Sequence, residues 1–132
     1  MKKTLNYCAS IVLLLVVVLT GCQKFDPATV EITSCITDGR TMYGTARITD
    51  NGGCSYFIEQ GYCYSLFDTV SATEIYTTMV PVNYSTDSLT FSWTEELPMA
   101  DTIYYVKAYV KTNAGIAYSK TERVSTLINT SK

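Results

Sequence analysis

The chain has 132 residues, and its ten lysines and arginines against twelve aspartates and glutamates give a net charge of −2. This length fits one domain, and the mildly acidic balance argues against a nucleic-acid partner, which would need a basic face for the phosphates. The sequence also contains no histidine. Nucleophile systems with an imidazole base and imidazole metal sites are therefore excluded, and we expect neither an enzyme nor a bound cofactor or metal.

The first 22 residues have the three parts of an export signal. Lys2 and Lys3 precede nine consecutive aliphatic residues, 11–19, and a short stretch of small residues ends at Cys22. Nine aliphatic residues are too few to cross a bilayer, which takes about 20. They suit the core of a signal peptide instead. A short buried helix of the folded domain is the competing interpretation, and the dominance of Val and Ile without a polar face disfavours it.

A motif at the end of this leader resembles the lipobox of bacterial lipoproteins; it consists of Leu19, Thr20, Gly21 and Cys22. The resemblance implies that residues 1–21 are a cleaved signal peptide and that Cys22 becomes a lipidated amino terminus. Several acyl chains hold a membrane far more strongly than one, so the mature protein would be tethered through residues 22–28. An ordinary secretory signal, with Cys22 incidental, is the alternative.

The composition from residue 29 to 127 is typical of strands, with frequent Thr, Ser and Tyr and with Gly and Pro between apolar runs. Apolar residues alternate most clearly at 42–49 and 104–111. We predict seven strands, near residues 29–37, 41–49, 55–65, 73–80, 88–95, 103–112 and 116–126. Seven short antiparallel strands indicate an all-β sandwich of two sheets. Residues 66–88 alternate weakly and fit either a loop or an irregular edge strand.

Residues 104–118 resemble the "TYYVRAYATNSAGTAYG" signature of fibronectin type III-like domains in lipoproteins of Bacteroidota. Residues 48–53 and 59–65 are similar to the "VTSNGG" and "ERGFCYS" segments of the same family. The resemblance covers most of residues 29–127 and leaves 128–132 as a tail. It implies a sandwich of the fibronectin type III or immunoglobulin-like type, with Tyr104 as a tyrosine corner that bonds back to upstream backbone. For Trp93, packing is favoured over stacking on a ligand.

Alternation also predicts an aromatic outer face on the sixth strand and its neighbour, the third. The side chains expected there are Tyr105, Lys107, Tyr109, Lys111 and one of the pair Tyr62 and Tyr64. Flat aromatic rings with flanking donors suit sugar rings or an extended peptide. The simpler interpretation is that Tyr and Lys form ordinary cross-strand pairs on a solvated sheet.

Three cysteines remain in the domain once Cys8 and Cys22 are assigned to the leader and the lipid. Cys54 and Cys63 flank one extended strand and are too far apart to pair. If a disulfide forms, Cys35 with Cys63 is the better candidate, because a meander brings both to one end of the sandwich. Free, buried thiols are the alternative. Three scattered thiols without histidine do not make a zinc site.

These patterns predict a lipid-anchored envelope protein that acts as a non-catalytic binding or adhesion module for a glycan, a peptide or a protein partner. The alternative is a structural spacer or subunit of a larger envelope assembly that docks through a sheet edge. An enzyme is disfavoured, since the acidic residues are scattered and no nucleophile motif is present. The expected location is the outer membrane or the cell surface, and an orientation towards the periplasm stays open.

Overall fold

The computed structural model describes residues 25–54, 57–82 and 89–127. The predicted signal peptide, the lipobox with Cys22 and the tail at 128–132 lie outside the described residues. Within those three ranges the structure contains no helix with the length and apolar character that a membrane crossing requires.

The described residues form two antiparallel sheets. The strands are β1 (Thr29–Asp38), β2 (Thr41–Asp50), β3 (Glu59–Ser65), β4 (Thr78–Pro81), β5 (Thr90–Glu96), β6 (Ile103–Thr112), β7 (Gly115–Tyr118) and β8 (Glu122–Ser125). Sheet A has the order β1-β2-β5. Sheet B has the order β4-β3-β6-β7, and β8 also pairs with β6. The all-β, antiparallel architecture agrees with the prediction.

The described residues form eight strands rather than the predicted seven, because the last predicted strand is interrupted. Ser119 lies at the break, where its hydroxyl accepts a hydrogen bond from the Ala108 N–H at 2.9 Å and donates to the Lys120 carbonyl at 2.8 Å. This side chain replaces a backbone partner of β6, and the pairing resumes at β8. The fourth strand is also shorter than predicted, since residues 71–76 form turns and bends and β4 begins at Thr78.

The core lies between the two sheets and follows the alternation seen in the sequence. Alternate residues of β2 and β6 are buried, as predicted: Met42, Ala46 and Ile48 on β2, and Tyr104, Val106, Ala108 and Val110 on β6. Trp93 of sheet A stacks on Tyr62 of sheet B, with ring centroids 4.8 Å apart. Gly44 gives the indole its space, because a Cβ there would collide with the ring. The packing role expected of Trp93 is therefore confirmed.

The segment between β3 and β4 folds over the outer face of sheet B. Two backbone hydrogen bonds shape it, from Glu74 N–H to Ser71 and from Thr77 N–H to Glu74. The Ala72 N–H donates to the hydroxyl of Tyr118, which lies on β7 two strands away from β3. Val70 is fully buried. Residues 66–77 thus form a cover on sheet B. The sequence had been compatible with either a loop or an irregular edge strand in this region.

The two ends of the sandwich carry different parts of the chain. Near the amino terminus, the Asp26 N–H donates to Gly52 in the β2–β3 connection. At the opposite end, the β1–β2 turn contacts the β5–β6 connection through a Leu97 N–H bond to Arg40. Asp101 N–H donates to Thr126 at the same end. Ten residues of β1 separate the ends by roughly 30 Å. We call the end remote from the amino terminus the distal end.

Candidate binding site

The predicted stripe of exposed tyrosines on sheet B is wrong. Tyr62 and Tyr64 both point into the core, because residues two apart in a strand share one face. Tyr109 is on the outer face, as predicted, but it is only 1% exposed. Of the remaining candidates, Tyr105 and Lys107 are half-buried and Lys111 is exposed. The face is closed because residues 66–77 reach across it to β7.

Tyr109 has a structural role on this face. It pairs with Gly61, which has no side chain, and its hydroxyl donates a 2.6 Å hydrogen bond to Glu59 Oε1. Burial, and next the bond to Glu59, raise the pKa of Tyr109 above its ordinary value. Nearby, Lys107 Nζ lies 5.7 Å from the centroid of the Tyr118 ring. These contacts hold strands β3, β6 and β7 together.

Tyr104 is buried at the start of β6, and its hydroxyl bonds back to the chain before it. The oxygen accepts a hydrogen bond from the Met99 N–H at 2.9 Å. Met99 lies five residues upstream, in the β5–β6 connection. This contact is of the kind expected for Tyr104, and it fixes the connection against the end of sheet B.

The disulfide considered between Cys35 and Cys63 is absent: both are free thiols in the described part of the chain, as is Cys54. Cys35 packs against the core from β1 of sheet A. Cys63 lies on the outer face of sheet B, where its thiol donates to the Lys107 carbonyl at 3.6 Å. The body of sheet B separates the two sulfur atoms. Burial raises the pKa of each of the two thiols to about 11.

A cleft of about 250 Å³ opens at the distal end. It is lined by Tyr64, Ser65, Leu66, Tyr76, Thr78, Pro98, Met99 and Tyr104. The β3–β4 cover and the β5–β6 connection supply its walls, and the ends of β3 and β6 supply its floor. Tyr76 at the rim is 72% exposed, whereas Tyr64 on the floor is 7% exposed. The rings of Tyr64 and Tyr104 meet edge to face, with centroids 5.9 Å apart.

A second cleft of about 220 Å³ adjoins the first and shares Ser65 and Tyr76 with it. Its other lining residues are Phe67, Thr69 and Glu74. The rings of Phe67 and Tyr76 are 5.5 Å apart, and both are largely exposed. Tyr76 thus divides one continuous aromatic surface into two hollows. We call the two clefts together the distal surface.

The hydroxyl groups on the floor of the distal surface are already used within the protein. Tyr64 interacts with Thr78 and Glu95, and the Tyr104 hydroxyl is held by the backbone of Met99. The Ser65 hydroxyl accepts a hydrogen bond from the Phe67 N–H at 3.1 Å. The floor therefore presents mainly carbon to a ligand.

The lining of the distal surface carries one negative charge, and one arginine lies behind it: Arg40 donates to the Pro98 carbonyl at 3.3 Å and pairs with Glu96. Among the residues that line the two clefts, Glu74 is the only charged one. Below the floor, Glu95 of β5 accepts a hydrogen bond from the Tyr62 hydroxyl. Burial is the main cause of the raised pKa values of Tyr62 and Tyr64, and the negative charge of Glu95 adds to both.

The described ranges hold no group of three or more Cys, Asp or Glu side chains that could bind a metal ion. The distal surface itself carries one carboxylate and no nucleophile with an adjacent base.

The alternation pattern of the sequence does not predict this surface. Its exposed large apolar residues fall between strands, in segments where alternation fails: Leu66, Phe67, Tyr76 and Met99. The signal that could have indicated this surface is the presence of large apolar residues outside strands in two segments. A contiguous exposed apolar patch marks an interaction site more often than a single exposed residue does. The convergence of these residues depends on the cover and the β5–β6 connection meeting at one end, which the pattern of the sequence does not specify.

Comparison with known proteins identifies a distant structural likeness. No protein-family model matches the chain, and no curated protein matches its sequence. One similar solved structure is the sensor domain of the anti-sigma factor RsgI4 of Pseudobacteroides cellulosolvens. It is 14% identical, with a TM-score of 0.47, over 77% of this chain and 98% of that chain. A likeness this distant carries no functional argument.

Proposed function

We propose that this chain is a lipid-anchored envelope protein that acts as a non-catalytic binding or adhesion module, built on a fibronectin type III-like sandwich. The order of β3, β6 and β7 in sheet B supports that domain type, since strands C, F and G of immunoglobulin-like sandwiches pair in the same order. The lipobox-like motif ending at Cys22 supports the anchor and a position at the outer membrane or cell surface.

The observation that carries the binding role is the distal surface. Exposed large apolar side chains cluster there, and clusters of this kind mark interaction sites in water-exposed domains. The surface lies at the end remote from the amino terminus, so a lipid on Cys22 would hold the opposite end against the membrane. The anchored domain would then present the distal surface away from the bilayer.

Photo-crosslinking in cells tests the binding role. Benzoylphenylalanine replaces Tyr76 at the rim of the distal surface, and in a matched control it replaces Tyr43, which is 44% exposed in strand β2 of sheet A. We expect a discrete adduct from position 76 and none from position 43. An adduct from position 43 alone would favour the structural-subunit alternative, and no adduct from either position would refute a binding module.

Phase partitioning tests the anchor separately. The full-length protein, expressed in a bacterium with a lipoprotein pathway, should enter the detergent-rich phase, and Cys22→Ala should move it to the aqueous phase. Cys8→Ala is the matched control, because this cysteine would leave with the signal peptide and its loss should change nothing. A Cys22→Ala protein that still enters the detergent phase would refute lipidation at this residue.

A further inference from the structure

We propose that the distal surface binds a lysine or arginine side chain of a protein partner, with the aliphatic stem on the apolar walls and the cationic head beside Glu74 and the tyrosine rings. This inference rests on the proposed binding function and adds to it the chemical class of the ligand. Three features of the clefts support it: the floor hydroxyls, which are already bonded within the protein, the charge of Glu74 and the aromatic rings.

The polar groups on the floor of the clefts argue against a sugar ligand. A sugar needs hydrogen-bonding groups as well as an aromatic platform. The hydroxyls of Tyr64, Tyr104 and Ser65 already have partners within the protein. The walls at Leu66, Pro98 and Met99 offer apolar side chains. Such walls suit the methylene stem of a long side chain, which buries its carbon chain and keeps its charged head near water.

The charge favours a cationic head. Glu74 lines the second cleft, and Glu95 lies beneath the floor of the first. No lysine or arginine is among the lining residues of either cleft. Arg40, which donates to the Pro98 carbonyl behind the first cleft, is already paired with Glu96. Among the lining residues, the carboxylate of Glu74 therefore has no cation beside it on the walls, and a ligand can supply one.

The aromatic rings add a second attraction for a cation. The face of a tyrosine ring attracts ammonium and guanidinium groups. Tyr76 is exposed at the rim between the two clefts, within the same hollow as Tyr64. A purely apolar side chain gains the contact with the walls but neither the ring attraction nor the pairing with Glu74.

Frontal affinity chromatography of the mature, lipidated protein in detergent micelles tests this preference. Columns carry equal densities of the peptide acetyl-Gly-Ser-Lys-Ser-Gly, or of the same peptide with arginine, norleucine or glutamate at its centre. Norleucine has a similar apolar stem and no charge. We expect lysine and arginine columns to retain the protein about fivefold more strongly than the norleucine column, and the glutamate column to retain it least.

Two pairs of variants distinguish retention by the distal surface from retention caused by the overall acidity of the protein. Glu74→Gln should reduce the preference for lysine over norleucine by about threefold, whereas Glu122→Gln on β8 should leave it unchanged. Tyr76→Ser should remove most of the retention on both columns, and Tyr43→Ser should not. Equal retention on lysine and norleucine columns, or a lysine preference that Glu74→Gln leaves intact, would overturn the inference.

A further column carrying cellohexaose shows whether the cationic ligand fails while the proposed binding function stands. Retention there that depends on Tyr76, without a lysine preference, would overturn the cationic ligand and leave a binding module in place. A lysine preference without any crosslinked adduct in cells would instead support the ligand chemistry and count against the proposed function.

Discussion

Gly61→Ala should detach the edge strand β4 and disrupt the distal surface. Gly61 lies opposite Pro81 on β4 and Tyr109 on β6. A Cβ at this position would lie 2.9 Å from the Pro81 Cα, 3.0 Å from the Tyr109 hydroxyl and closer still to the Val80 carbonyl oxygen. Two of these neighbours are backbone atoms, which cannot rotate away, so β4 has to move.

The cost of that movement follows from the pairing it breaks. Strand β4 pairs with β3 at only four positions, and the collision falls on two of them. Losing about two or three ladder hydrogen bonds at ~1 kcal/mol each gives a loss in stability of about 2–3 kcal/mol. Thr78 at the start of β4 lines the cleft, so the same movement should also weaken ligand binding.

Urea unfolding followed by far-ultraviolet circular dichroism measures this loss. Gly39→Ala is the matched control, since a Cβ there meets nothing within 4 Å and the cost is limited to about 1 kcal/mol for the positive φ of 59°. If the two variants lost equal stability, or if Gly61→Ala lost less than about 1 kcal/mol, the close packing of β3 against β4 would be refuted.

Three further outcomes test the interior. Gln60→Met should raise the free energy of unfolding by about 1 kcal/mol, because the buried Gln60 amide has no hydrogen-bond partner among the residues that the structure describes; a lower urea midpoint would contradict this. Trp93→Ala should lower it by about 3–5 kcal/mol through loss of the stack on Tyr62, and a loss below about 1 kcal/mol would place Trp93 outside the core. Burial raises the pKa of the Cys63 thiol from 9.0 to about 11. The contribution of this thiol to the free energy of unfolding should therefore be complete below about pH 9 and should be lost as the pH rises towards 11. If the urea midpoint of Cys63→Ala fell over this pH range by as much as that of the wild-type protein, the third outcome would be contradicted.

Strands with one covered face and one solvated face could be predicted from the sequence. In β2 and β6, alternation identified the inward residues, because polar side chains mark the other face. The break between the predicted strands at 29–37 and 41–49 also matches the boundary between β1 and β2, where Gly39 has the positive φ that glycine tolerates.

Strand β3 shows why the predicted site was wrong. Six of its seven residues are buried, so both of its faces are covered and alternation gives no sign of which face is outer. The residues that cover its outer face lie in 66–77, a segment shaped by turns and by a long-range bond from Ala72 to Tyr118. Such contacts join positions 46 residues apart and leave no periodic trace in the sequence.

Hydroxyl-radical footprinting with mass spectrometry tests most directly the claim that the exposed aromatic surface lies at the distal end. On the purified protein, we predict rapid oxidation of Tyr76 and Phe67 and protection of Tyr62 and Tyr109. Oxidation of Tyr109 as fast as that of Tyr76 would contradict the account, because it would show that the face of sheet B is open.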